Sequence, residues 1–174
     1  YPKGLQTLSS KLLKSLLICL PLLGAGCGFT PMYGEDREAA GQLQLIKIAT
    51  IPDRRGQVLR NHLLDLLTPK GPPKRSAYTL ETTLDIHTRD IGIRRDETAN
   101  RKQVTVKATV ALKDSTTFKT LHERTITTFN SYTLTAHDYF ATEVGEEAAI
   151  HEALRLTAQK IKLDISAFLL HAHP

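Results

Sequence analysis

Tryptophan is absent from the 174 residues, and tyrosine and phenylalanine together number only ten. That leaves little with which to build a large aromatic cage around a ligand. Signatures of catalysis are missing as well. There is no G-x-S-x-G, no P-loop and no G-x-G-x-x-G. Neither His122-Glu123 nor His151-Glu152 is followed by the second histidine that a zincin helix needs. Cysteine occurs twice, at Cys19 and Cys27, and residues 1–34 contain no aspartate or glutamate. What is present is ordinary. An apolar fraction of 41% is enough for a buried core, so wholesale disorder is excluded, and the length suits one domain.

The acid-free start has the form of a targeting signal. Lys3, Lys11 and Lys14 precede an apolar run from Leu16 to Leu23, and small residues follow. A basic start, a short apolar stretch and small residues at a cleavage point define a secretory signal. The run falls short of the roughly 20 residues of a membrane-spanning helix. Leu23-Gly24-Ala25-Gly26-Cys27 resembles a bacterial lipobox, in which the cysteine is acylated and the chain is cut just before it. The expected division is a signal over 1–26, a lipidated start and tether over 27–41, and one folded domain over 42–174. Cys19 is then discarded, and Cys27 is left with no partner for a disulfide. Acylation caps a thiol that an oxidising compartment would otherwise attack. Removing the signal takes three of the 23 basic residues and none of the 18 acidic ones, leaving 20 against 18. The basicity is therefore mostly a property of the signal, and no nucleic-acid partner is implied.

The rest reads as a single α/β domain of the α+β kind. Leu43 to Ile51 is apolar and β-branched, which predicts a first strand. Pro52-Asp53 ends it, and Asp53 is a candidate helix N-cap. Leu59, Leu63, Leu66 and Leu67 follow at helical spacing until Pro69, Gly71, Pro72 and Pro73 stop the helix. Between residues 79 and 135, 15 of 57 residues are threonine, which favours pleated strands. In residues 78–87, Tyr78, Leu80, Thr82, Leu84 and Ile86 alternate with polar residues, and in 103–113 Val104, Val106, Ala108, Val110 and Leu112 alternate with residues that are polar except Ala111; a third segment, about 121–132, alternates less cleanly. Asp114 to Thr117 predicts a hairpin turn, and Arg89 to Asn100 a longer charged hairpin tip. Thr135 to Asp138 has the form of a capping box opening a helix over about 136–170, with Gly145 as a weak point. Its apolar stripe is Ile150, Leu154, Ala158, Ile161, Ile165 and Phe168. The expected fold is a two-layer sandwich in the order β-α-β-β-β-α. A mixed four-stranded sheet carries both helices on one face and leaves the other rich in threonine and lysine.

Candidate sites are few. Glu146-Glu147 read as a solvated helix face. His171 and His173 sit at the chain end without a carboxylate partner, so neither metal nor cofactor is expected. Arg89, Arg94, Arg95, Arg101 and Lys102 cluster within 14 residues, diluted by Asp90, Asp96 and Glu97. Guanidinium groups fit phosphate oxygens, which makes an anionic lipid headgroup a sensible ligand. A solvated hairpin with internal ion pairs is the plainer alternative.

Several segments together resemble the LptE family of lipopolysaccharide-assembly lipoproteins in its alphaproteobacterial form. They are the lipidated start Cys27-Gly-Phe-Thr-Pro-Met-Tyr-Gly34, Arg55-Gly-Gln-Val-Leu-Arg-Asn61, Tyr78-Thr-Leu80, Ile91-Gly-Ile-Arg-Arg-Asp96 and Phe129-Asn-Ser-Tyr132. The resemblance implies a non-enzymatic outer-membrane lipoprotein, anchored on the periplasmic face through acyl chains on Cys27. It also implies a β-barrel partner, LptD, that the protein plugs and helps to assemble, and a part in lipopolysaccharide transport. Contact with lipopolysaccharide is carried over to Arg94, Arg95, Arg101 and Lys102. Two other readings stay open: an accessory lipoprotein of another envelope transport system, and a small periplasmic enzyme with an unfamiliar site.

Overall fold

In the computed structural model, residues 41–93, 99–134 and 138–172 are described below. The elements are β1 (Ile46–Ile48), α1 (Asp53–Leu67), β2 (Tyr78–Ile93), β3 (Ala99–Asp114), β4 (Thr120–Thr133) and α2 (Tyr139–Ala172). They form one four-stranded sheet in the order β1-β2-β3-β4. β1 runs parallel to β2, while β2–β3 and β3–β4 are antiparallel. The expected mixed sheet and element order are both present.

The two-residue period of a strand decides what is buried. Val104, Val106, Ala108, Val110 and Leu112 of β3 are all fully buried. Their neighbours across the sheet include Leu80, Thr82 and Leu84 on β2 and Ile126 and Thr128 on β4. α2 lies over this face with Ile150, Leu154, Ala158, Ile161, Ile165 and Leu169 inward, and Leu59, Leu63 and Leu67 of α1 complete the same core. Each fully buried Leu or Ile contributes roughly 1.5–3 kcal/mol against leaving it in water. One buried polar link crosses the layers. The Thr128 and Thr157 hydroxyls lie 2.6 Å apart, and both reach the Ala153 carbonyl.

The outward face is polar. Thr79, Glu81, Thr83 and Asp85 of β2 lie beside Thr105, Lys107, Thr109 and Lys113 of β3 and Thr125 and Thr127 of β4. Cross-strand bonds order it, among them Thr109 to Thr125 (3.1 Å) and Lys113 to Glu81 (2.6 Å).

Four expectations need correction. The first strand is only Ile46–Ile48, not Leu43 to Ile51; residues 41–43 are helical. Leu43 and Ile51 are buried without being in a strand. Asp53 is not the cap of α1. Pro52 holds that position, no side chain caps the helix, and Asp53 is its first residue, with φ +65°. The charged hairpin tip is shorter than 89–100, because β2 continues to Ile93 and β3 resumes at Ala99. Finally, α2 starts at Tyr139 with Asp138 as its cap, the carboxylate accepting the Ala141 N–H at 2.9 Å. Thr135 lies outside the described residues. The helix runs unbroken through Gly145.

Candidate functional site at the hairpin end

The paired strands β2 and β3 carry the basic cluster. Arg94 and Arg95 lie outside the described residues, as does Cys27. Arg101 and Lys102 stand at the start of β3, and the strand period sends their side chains to opposite faces. Arg101 is on the outward face, where its Nε donates to Ser131 Oγ at 3.1 Å. Lys102 is on the inward face, opposite Asp90, with Nζ 3.9 Å from Asp90 Oδ1. The structure therefore does not bring these two cations together, and Lys102 has an acid beside it.

A different pair shares a face. Arg89 lies opposite Gln103 on the outward side, and its Nε donates to Gln103 Oε1 at 3.0 Å. Arg101 is two residues from Gln103 on the same strand, so both guanidinium groups stand on one polar surface, each oriented by a neutral side chain. The exposed ring of Phe129 lies two residues from Ser131 on that surface. Arg89 was not among the four carried-over residues. The parity of positions 89 and 101 along paired strands is the signal that would have found it. A guanidinium held by a neutral partner keeps its charge and its remaining N–H donors for an incoming anion.

The inward side at this end is tied to α2. Tyr132 donates its hydroxyl to Glu146 Oε2 at 2.7 Å. Burial raises the phenol above its ordinary value, with the Glu146 carboxylate adding to the shift.

Among the described residues no three His, Cys, Asp or Glu side chains group as a metal site. His171 Nδ1 lies 2.6 Å from the Ala167 carbonyl of its own helix, and His173 is outside the described residues. His122, Asp164 and Arg124 form a bridge from β4 to α2, at 2.7 and 2.9 Å, with His122 stacked on Phe168. A carboxylate held between an imidazole and a guanidinium fastens the strand to the helix. A cavity of about 330 Å³ opens between the start of α1 and β2, and Asp53 and Arg55 are the titratable residues on its lining. No helix among the described residues is long and apolar enough to cross a membrane.

Solved structures with the same arrangement come from bacterial lipoproteins. A protein of Caulobacter crescentus CB15 described as a lipoprotein superposes with a TM-score of 0.62 at 24% identity, covering 79% of this chain and 98% of its own. The rare lipoprotein B of Shewanella oneidensis gives 0.59 at 10% identity, covering 74% and 98%. A minor lipoprotein of Acinetobacter baumannii gives 0.54 at 18%, covering 70% and 90%. At these identities the likeness is one of fold. No curated protein sequence matches the chain. The model of one family, described as LptE, lipopolysaccharide-assembly, matches residues 43–165. That span takes in β1 through most of α2 and more than half of the sequence, and the chain belongs to the LptE lipopolysaccharide-assembly family.

Proposed function

We propose that the protein is a non-enzymatic outer-membrane lipoprotein that plugs the LptD β-barrel, assists its assembly and takes part in moving lipopolysaccharide to the outer leaflet. The observation that carries this is the family match over residues 43–165, which hold nearly all of the core. The architecture supports it. Both helices cover one face of the sheet and the threonine-rich face is left polar, which suits a water-lined barrel interior. The division into a signal over 1–26, a tether over 27–41 and a domain over 42–174 belongs to the same reading. So does acylation of Cys27, which holds the domain at the periplasmic face. Two or more acyl chains give stable anchoring where one is marginal, and confinement raises the effective concentration for the barrel.

In this reading Arg94, Arg95 and Arg101 meet the anionic groups of lipopolysaccharide, and Lys102 adds positive charge from the opposite face of β3, beside Asp90. Arg89 joins them because it shares a face with Arg101. Purification of the affinity-tagged protein from membranes tests the partner. The expected result is a large β-barrel protein in equal amount, and its absence refutes the plug. Replacing Arg94, Arg95 and Arg101 together with aspartate is expected to weaken lipopolysaccharide binding while leaving the thermal midpoint unchanged. Unaltered binding returns the hairpin end to plain surface.

A further inference from the structure

β2 is 16 residues long, yet β1 pairs only with Tyr78, Thr79 and Leu80. The main-chain groups that face β1 belong to alternate residues. Tyr78 N–H donates to the Leu45 carbonyl (3.4 Å) and Ala49 N–H donates to the Leu80 carbonyl (2.9 Å). By the two-residue period, the N–H and C=O of Thr82, Leu84, Ile86 and Thr88 face the same side. There the chain has already turned off through Ile51 into α1. Among the described residues no strand or loop pairs with those four.

The side chains of the same residues point to the inner face. Leu84 and Ile86 are only half-buried, since neither helix covers them as the others are covered. Thr82 is 8% exposed, and its hydroxyl has no partner. All three line the cavity of about 330 Å³ whose far wall is the start of α1. That helix end has no side-chain cap. Its first-turn N–H groups and positive dipole end stand beside Arg55 and Asp53 on the cavity lining; the neighbouring Arg54 turns to Glu147 of α2, 4.0 Å away.

We propose that this edge of β2 is a docking site for an extended segment of a partner protein, apolar at alternate residues and ending in a carboxylate at the start of α1. Donors and acceptors that alternate along a strand are matched together only by another peptide backbone; a lipid chain satisfies neither. Inward side chains of the added strand would cover Leu84 and Ile86, and the uncapped N–H groups at the positive end of α1 favour an acid over a base. The opposite edge of the sheet is guarded. Lys160 Nζ lies 3.3 Å from the Thr127 carbonyl of β4, and lysine is a common blunting device on an edge strand. No such guard stands on β2 among the described residues. The proposal is independent of the barrel reading, since peptide docking and co-purification of a barrel can fail separately.

The test is titration of the ¹⁵N-labelled full chain with a synthetic nonapeptide of alternating threonine and valine, acetylated at its start and with a free terminal carboxylate. The amides of Thr82, Leu84, Ile86 and Thr88 are expected to shift and to exchange more slowly with solvent. Leu84→Pro deletes an edge-facing N–H that β3 does not use, and Ile86→Glu places a charge on the apolar floor. Each is expected to weaken binding at least tenfold with the thermal midpoint monitored, and Ile86→Glu carries the test alone if the proline variant does not fold. Amidating the peptide's terminus is expected to weaken it severalfold. Absence of binding, shifts confined to β4, or equal binding by a folded variant overturns the proposal. Concentration-dependent shifts of the same amides without peptide also overturn it, because the occupant is then a second copy.

Discussion

Gly56 and Gly145 are both helical, yet alanine is expected to have opposite effects at the two. At Gly56 an added Cβ falls 2.7 Å from Ile51 Cγ2 and 3.1 Å from the Ile51 carbonyl carbon and oxygen. Ile51 cannot easily give way. Its branched side chain is 1% exposed, and its carbonyl accepts a 2.6 Å bond from Gln57 Nε2. Overpacking of this kind costs about 1–3 kcal/mol. Against it stands the better helix propensity of alanine, at most about 1 kcal/mol in a helix interior and less in the first turn. The net expectation for Gly56→Ala is a loss of about 1–2 kcal/mol, or roughly 3–8 °C in thermal midpoint for a domain of this size. At Gly145 the added Cβ meets Tyr132 at 3.8 Å, an ordinary contact. Propensity alone then acts, and Gly145→Ala should gain roughly 0.5–1 kcal/mol. Urea denaturation with an unchanged slope measures both. If Gly56→Ala is neutral or stabilising, the close approach of α1 to Ile51 does not govern this corner of the fold.

Asp114 accepts the Thr116 and Thr117 N–H groups and the Thr117 hydroxyl in the β3–β4 turn. The backbone bonds, Thr117's first, hold its carboxyl below 3.8. Its contribution is therefore complete above the unfolded value and disappears as pH falls through the lower folded one. Asp114→Asn should lower the thermal midpoint at pH 7, with the gap to the parent closing below about pH 3.8. Thr128→Val should cost about 1 kcal/mol by urea denaturation, and the double variant with Thr157→Val should cost less than the sum of the singles, because either single already removes the bond between the two hydroxyls. In an ultraviolet pH titration Tyr132 is expected to give a step above the ordinary phenol range, and Tyr132→Phe should remove that step.

Much of this fold can be read from the order of residues, and the reasons differ by element. β3 alternates apolar and polar with one lapse, Ala111 on the outward side, and every inward residue from Val104 to Leu112 is buried. The helical stripe from Ile150 to Ile165 is equally plain, although Leu169, rather than the expected Phe168, is its last fully buried member. β1 is shorter than its apolar run because burial and strand geometry coincide only over Ile46–Ile48. Leu43 reaches the core from a helical turn, and Ile51 from beneath Gly56. The start of α1 departs from the sequence signal for a local reason: Asp53 takes a positive φ that aspartate tolerates, and the adjacent proline takes the cap position. The basic end was visible as a cluster in sequence. Which cations share a surface follows from strand parity and pairing, and that separates Lys102 from Arg101 and joins Arg89 to it.

The parallel pairing of β1 has a consequence for the order of assembly. β2, β3 and β4 meet through neighbouring hairpins, so each finds its partner within a short stretch of chain. Ile46 instead pairs with Tyr78, 32 positions later, after α1 has been laid down. Closing that larger loop carries a greater entropic penalty and delivers only three residues of ladder. A polypeptide threaded out of a ribosome or a translocation pore therefore presents this strand among the earliest of its core residues and seats it among the last.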